Sequence, residues 1–333
     1  MLLKKSDLNK ALEILAADAS VFVPGVVTDV KRFVLWDGQE VELGGDNTTL
    51  PPKDILFPCT EKMYNYKLGK SIEIKEVVDN TKQIIFGLRP CDARSIYLMD
   101  KVFFEKGFVD SFYKRKRENT LLFAYGCDTV CRTCFCDSMG LDPKDAPNAD
   151  VMMNDAGDAL VMEAYTEAGR AVLEKIGAFL VADEAAETAA KSTKTECELK
   201  VNATEDLPKK LGKMFEHPIW DEVTRACLGC ATCTYVCPTC YCFDIDSDNH
   251  GAEGTKYRCW DSCMFSDYSR MAGGHNPRPT KKERVRNRYM HKLSFFHDRY
   301  GEMLCVGCGR CVEKCPAHMD ITTFIDKVAE VEI

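Results

Sequence analysis

Histidine is scarce in this sequence, 6 in 333 residues, and none stands in a recognisable catalytic motif. No apolar run approaches the roughly eighteen residues that a membrane-spanning helix needs. Neither a G-x-G-x-x-G turn after a strand nor a phosphate-binding loop occurs, so no nucleotide site is expected in the chain itself. Basic residues are in deficit: a net charge of -8 and a pI near 5.4 lack the footprint of a nucleic-acid binder. The N-terminus shows no uninterrupted apolar segment of the kind a secretory leader requires. Met1 to Leu15 reads instead as an amphipathic helix with Leu8, Ala11, Leu12 and Leu15 on one face. Together these absences predict a cytoplasmic protein without a membrane span, whose thiols stay reduced rather than forming disulfides.

Cysteine is what the chain has in excess, 19 residues, and that excess calls for metal or redox chemistry. Two segments repeat the pattern C-x2-C-x2-C-x3-C-P: Cys227, Cys230, Cys233, Cys237 with Pro238, and Cys305, Cys308, Cys311, Cys315 with Pro316. In this ferredoxin-type spacing three close thiolates wrap one 4Fe-4S cluster while the fourth reaches the other. The expected sets are therefore Cys227, Cys230, Cys233 with Cys315, and Cys305, Cys308, Cys311 with Cys237. Glycines 229, 307 and 309 let the backbone approach a cluster closely. Structural zinc is the competing reading, but zinc favours C-x2-C pairs over a triple followed by C-P.

Between the motifs, Thr280 to Glu283 spells a capping box, and Val285, Tyr289, Leu293, Phe296 and Tyr300 recur at helical spacing until Gly301. The same segment carries Arg278, Lys281, Lys282, Arg284, Arg286, Arg288 and Lys292. Such a face is solvated, or it meets an acidic partner or the negative charge of the clusters.

The N-terminal half suggests a further site. Gln83 to Leu88 reads as a buried strand turning at Arg89-Pro90-Cys91-Asp92 into a helix, and Thr120 to Tyr125 as a second strand ending at Gly126-Cys127. If the two are parallel neighbours, Cys91 and Cys127 emerge side by side at the carboxyl edge of a sheet. Cys91, Cys127, Cys134 and Cys136 then form one four-thiolate set for a third cluster, with Cys131 a competitor and zinc or plain burial the alternatives. Cys240, Cys242, Cys259 and Cys263 follow the first motif closely and could ligate metal or simply pack.

The predicted fold class is α+β. An α/β domain with a cysteine-rich loop occupies residues 1–140, an α/β extension over 141–215 caps it, and a helix-rich, ferredoxin-type dicluster domain spans 216–333.

Several stretches resemble the iron-sulfur β-subunit of sulfhydrogenases and the A subunit of anaerobic sulfite reductase. They include Pro52 to Pro58, Arg89 to Asp92, Cys134-Phe135-Cys136, His217 to Asp221, Cys237 to Cys242, Trp260 to Cys263, Ala272 to His275 and Arg286 to Tyr289. The resemblance implies a non-catalytic electron-transfer subunit. Its partners would be a flavoprotein carrying FAD and handling NAD(P)H, and a catalytic hydrogenase, sulfite reductase or related reductase. It also implies cysteine at the positions of Cys91, Cys127, Cys134, Cys136, Cys240, Cys242 and Cys263, and departs from the pattern at Cys59, Cys131, Cys197 and Cys259. An alternative makes the chain catalytic, reducing disulfide or sulfur species at a special cluster around Cys240, Cys242 and Cys263.

Overall fold

The computed structural model describes residues 1–105, 107–192 and 194–332. Among the described residues, ten strands up to residue 181 and two after residue 242 build two sheets. They are β1 (Leu2–Lys4), β2 (Ser20–Val27), β3 (Val30–Leu35), β4 (Thr60–Leu68), β5 (Ile72–Glu76) and β6 (Gln83–Leu88). They continue with β7 (Thr120–Tyr125), β8 (Val151–Asp155), β9 (Ala159–Ala164), β10 (Leu180–Val181), β11 (Phe243–His250) and β12 (Glu253–Trp260).

The larger sheet runs in the order β10-β1-β9-β8-β7-β6-β2-β3. Its four central strands, β2, β6, β7 and β8, are parallel, and the outer ones antiparallel. Every residue of β6 is buried, as expected of a parallel strand covered on both faces. One face packs on helices Leu8–Ala16 and Glu167–Lys175 through Leu12, Leu15 and Leu173. The other packs on helices Pro90–Phe104 and Ser111–Glu118 through Ile96, Met99 and Tyr113. The predicted N-terminal helix starts only at Leu8, because Leu2–Lys4 is drawn into the sheet between β9 and β10. Tertiary pairing overrides the local helical pattern there.

The smaller sheet, β11-β12-β4-β5, is antiparallel throughout and joins strands from the two halves of the chain. Its anchor is Arg258 of β12, 1% exposed, which donates to Glu61 of β4 at 2.7 Å and to Asp110 at 2.6 Å.

In the remaining C-terminal part, Trp220 and Tyr289 pack at a tilt against Phe324 at centroid distances of 4.9 and 4.8 Å. The helix after Thr280 forms with its capping box and ends at Gly301 with φ +77°. It is α-helical over Lys281–Met290, passes through a π turn at His291–Phe295, and resumes over Phe296–Tyr300. No helix among the described residues is long and apolar enough to cross a membrane.

Candidate metal centres

The twin motifs adopt the same backbone path. Gly229 and Gly307 have φ of +73° and +64°, and Ala231 and Gly309 have +64° and +71°. Each loop then enters a one-turn helix, Thr232–Tyr235 or Arg310–Glu313. A left-handed conformation costs a residue with a Cβ about 1–2 kcal/mol, which Ala231 accepts. Gly309 has no such latitude, since a Cβ there would stand 2.4 Å from the backbone oxygen of Thr133.

Cys227, Cys230 and Cys233 line one hollow together with Cys311 and Cys315 of the second motif. The structure thus brings both Cys311 and Cys315 to the first triple. Backbone amides already face these sulfurs: Gly229 N donates to Cys227 Sγ at 3.4 Å and Met319 N to Cys315 Sγ at 3.2 Å. Cys237 lies near Cys305 and Cys308, and its charge and that of Cys311 bear on both. Burial pushes Cys233 and Cys305 up to about 11 and Cys308 to about 12. As free thiols they hold their protons at neutral pH, so binding iron must release them.

β6 and β7 are parallel neighbours, with Ile85 opposite Leu122, and the two turns that follow carry Cys91 and Cys127 to one place. These two line a second hollow with Cys134 and Cys136, and Cys131 lines it as well. Burial raises Cys91, and raises Cys127 to about 11. This N-terminal set abuts the second motif. Phe135 N donates to Gly307 O at 2.8 Å, and Cys134 Sγ lies 3.7 Å from Cys308 O. A Cβ on Gly307 would meet Cys136 Cα at 2.6 Å, so glycine is what permits the two loops to touch.

The other cysteines sit around these groups. The Cys240 thiol lies beside Cys237, and Cys242 lies beside Cys263 and the Tyr268 hydroxyl. Cys197 is 2% exposed, with its sulfur 3.6 Å from that of Cys136. Cys59 is exposed and Cys259 partly so.

Three cations are buried among the cysteines: Lys53, which sequence reasoning missed, and Arg288 and Lys292, which it placed on the basic face with the clusters' negative charge as one candidate target. Lys53 and Lys292 are each 2% exposed and Arg288 4%, and among the described residues none of the three pairs with a carboxylate. Lys53 Nζ donates to Cys240 O at 2.8 Å, Lys292 Nζ to Thr239 Oγ1 at 2.7 Å, and Arg288 to Cys233 O at 3.1 Å. Arg288 Nε is buried with no partner. Burial opposes the charge of Lys292, while negative charge on the Cys237, Cys240 and Cys305 sulfurs, such as iron binding would give them, raises its pKa above the ordinary lysine range. An isolated buried charge costs several kcal/mol unless an opposite charge lies beside it. Thiolate-bound iron-sulfur clusters, which are anionic, fit that requirement. Arg284, Arg288 and Lys292 stand at i, i+4 spacing, next to the apolar stripe of Val285, Tyr289 and Leu293.

No three His, Cys, Asp or Glu side chains among the described residues gather closely enough to hold a single metal ion. A lone tetrahedral ion draws its sulfurs to about 2.3 Å from one point. Here the thiols line two hollows rather than converging on one point.

A family model for a 4Fe-4S dicluster domain matches residues 226–319, which hold both motifs. Sulfhydrogenase 2 subunit beta of Pyrococcus furiosus is 32% identical over 299 residues, covering 87% of this chain and 86% of that protein. No solved structure matches the chain. With both motifs inside the matched domain and the likeness spread along the chain, it is an iron-sulfur electron-transfer protein that belongs to the sulfhydrogenase beta-subunit family.

Proposed function

We propose that this chain is the iron-sulfur relay of a multisubunit oxidoreductase. It takes electrons from a flavoprotein subunit that carries FAD and handles NAD(P)H. It passes them to a catalytic subunit, a hydrogenase, sulfite reductase or related reductase. Cys227, Cys230, Cys233 and Cys315 hold one 4Fe-4S cluster, and Cys305, Cys308, Cys311 and Cys237 a second. Cys91, Cys127, Cys134 and Cys136 hold a third. Each bound cluster supplies one-electron redox chemistry, at a potential set by charge, burial and hydrogen bonds to sulfur. Cys240, Cys242 and Cys263 line neither hollow and serve as packing and sulfur contacts around the clusters.

The observation that supports a relay is contiguity. The N-terminal thiols touch the second motif through Phe135 and Gly307, and the second motif shares a hollow with the first through Cys311 and Cys315. Arg288 lines the shared hollow, and Lys292 lies beside Cys237 and Cys305.

Anaerobic purification with native partners, followed by iron and sulfide counts and EPR of the reduced protein, tests the assignment. About twelve irons are expected, and about eight would remove the N-terminal cluster. Zinc without sulfide would overturn the reading altogether. In Cys91→Ser one EPR signal should vanish while two persist.

A further inference from the structure

The loop Leu43 to Thr48 lies over the N-terminal thiols and is clamped from two sides. Arg89, next to Cys91 in the turn after β6, donates from Nη2 to Leu43 O and Gly45 O, both at 2.8 Å. Arg310, between Cys308 and Cys311 of the second motif, is 3% exposed and uses its whole guanidinium edge. Its Nε donates to Thr48 O at 2.6 Å, and Nη1 and Nη2 grip the two oxygens of fully buried Asp92 at 2.6 and 2.8 Å. Nη2 also donates to Asn47 Oδ1 at 2.9 Å and to Thr48 Oγ1 at 3.1 Å.

This clamp fixes which way the Asn47 amide faces. Its Oδ1 accepts from Arg310 and from Thr48 N, the latter at 2.8 Å, so the oxygen end is committed and the NH2 must point away. Away is toward sulfur: Nδ2 stands 3.5 Å from Cys91 Sγ. The backbone N–H of the same residue donates to Cys131 Sγ at 3.2 Å. Hydrogen bonds to ligating sulfur stabilise the more negative, reduced state of a cluster and raise its potential.

We propose that Asn47 is a positioning and potential-setting residue of the N-terminal cluster. Its amide is held in the donating orientation by Arg310 of the second ferredoxin motif. One residue of the neighbouring centre thereby fixes the sulfur contacts of the next. The inference rests on the N-terminal cluster reading above.

The test is redox potentiometry followed by EPR on the full chain with its partners, comparing wild type with Asn47→Asp and Asn47→Ser. Asn47→Asp keeps the shape and the acceptor facing Arg310 but removes the donor to Cys91 and adds negative charge. The N-terminal centre should shift to more negative potential, while the two ferredoxin-type centres keep theirs. Asn47→Ser, uncharged and without the amide, should shift the same centre by less. Three signals in wild type with no shift in either variant would overturn the role of Asn47 alone. An equal shift of all three centres would do the same, since it would report overall charge. Loss of the N-terminal centre in both variants would assign Asn47 to packing and also overturn the proposal. A wild-type chain lacking a third signal would sink the N-terminal cluster itself, and this inference with it.

Discussion

His291 shows how its surroundings set the charge of one residue. Its Nε2 lies 2.8 Å from the Tyr241 hydroxyl, and burial, assisted by Lys292 and Arg278, lowers its pKa to about 4. Between its ordinary value near 6.5 and about 4 the unfolded chain binds the proton that the folded chain refuses. Stability is therefore complete above about pH 6.5 and falls as pH drops toward 4, by at most about 3 kcal/mol from this group. Urea midpoints measured from pH 7 to pH 4 should fall less steeply in His291→Gln than in wild type. An unchanged slope would place the acid sensitivity in other groups.

Among the elements, the helix that begins at Thr280 carries most of the site's electrostatics. Within its π turn the Lys292 carbonyl accepts from Leu304 N at 2.8 Å, tying the turn to the residue before Cys305. The extra residue of a π turn re-aims side chains, and such turns concentrate at functional positions. Here Lys292 is buried toward Thr239, Cys237 and Cys305. Lys292→Met should lower the potential of the centre held by the second motif, on the order of tens of millivolts, where 59 mV is a tenfold change for one electron. Potentiometry reads the shift, and an unchanged potential would remove Lys292 from the electrostatics of that centre. Parts of this arrangement were legible in the sequence: the twin spacing, the capping box, and the two strands leading to Cys91 and Cys127. The second sheet was not. β5 alternates Ile72 and Ile74 with charged residues but is exposed along its whole length, and in β11 Phe243 and Ile245 alternate with Asp244 and Asp246 before the strand turns wholly polar, so each pattern is too short to mark a strand by itself. Their pairing depends on β4 and β12, nearly two hundred residues apart in sequence, and local patterns do not report such partners. The basic face was visible as a charge run, but which of its members turn inward depends on the packing of Tyr289 and Leu293.

The whole molecule is held together across its halves. β4 pairs with β12 over the register Thr60 opposite Cys259 to Lys67 opposite Glu253, and Arg258 locks that pairing to Glu61 and Asp110. Arg310 and Asp92 make a second buried tie. Urea unfolding of the intact chain, followed by tryptophan fluorescence and by circular dichroism, should show coincident transitions rather than separate ones for the two halves. Arg258→Met leaves Glu61 and Asp110 without their shared cation, a loss of about 3–5 kcal/mol for a broken buried pair, and should separate the two curves. If the wild-type curves already diverge, the halves are energetically independent despite these contacts.

The contact between Phe135 and Gly307 also bears on how the protein is made. Chains leave the ribosome N-terminus first at roughly 5–20 residues per second, so Gly307 appears on the order of 10–30 s after Cys136. Through that interval the N-terminal thiols have strand, turn and helix in place but lack the loop that closes over one side and the arginine that holds Asn47. If the proposed N-terminal cluster forms, iron delivered early would meet an open, unfinished cup; the finished one exists only once the last motif has been synthesised, which would make the end of translation the natural moment for loading the beginning of the chain.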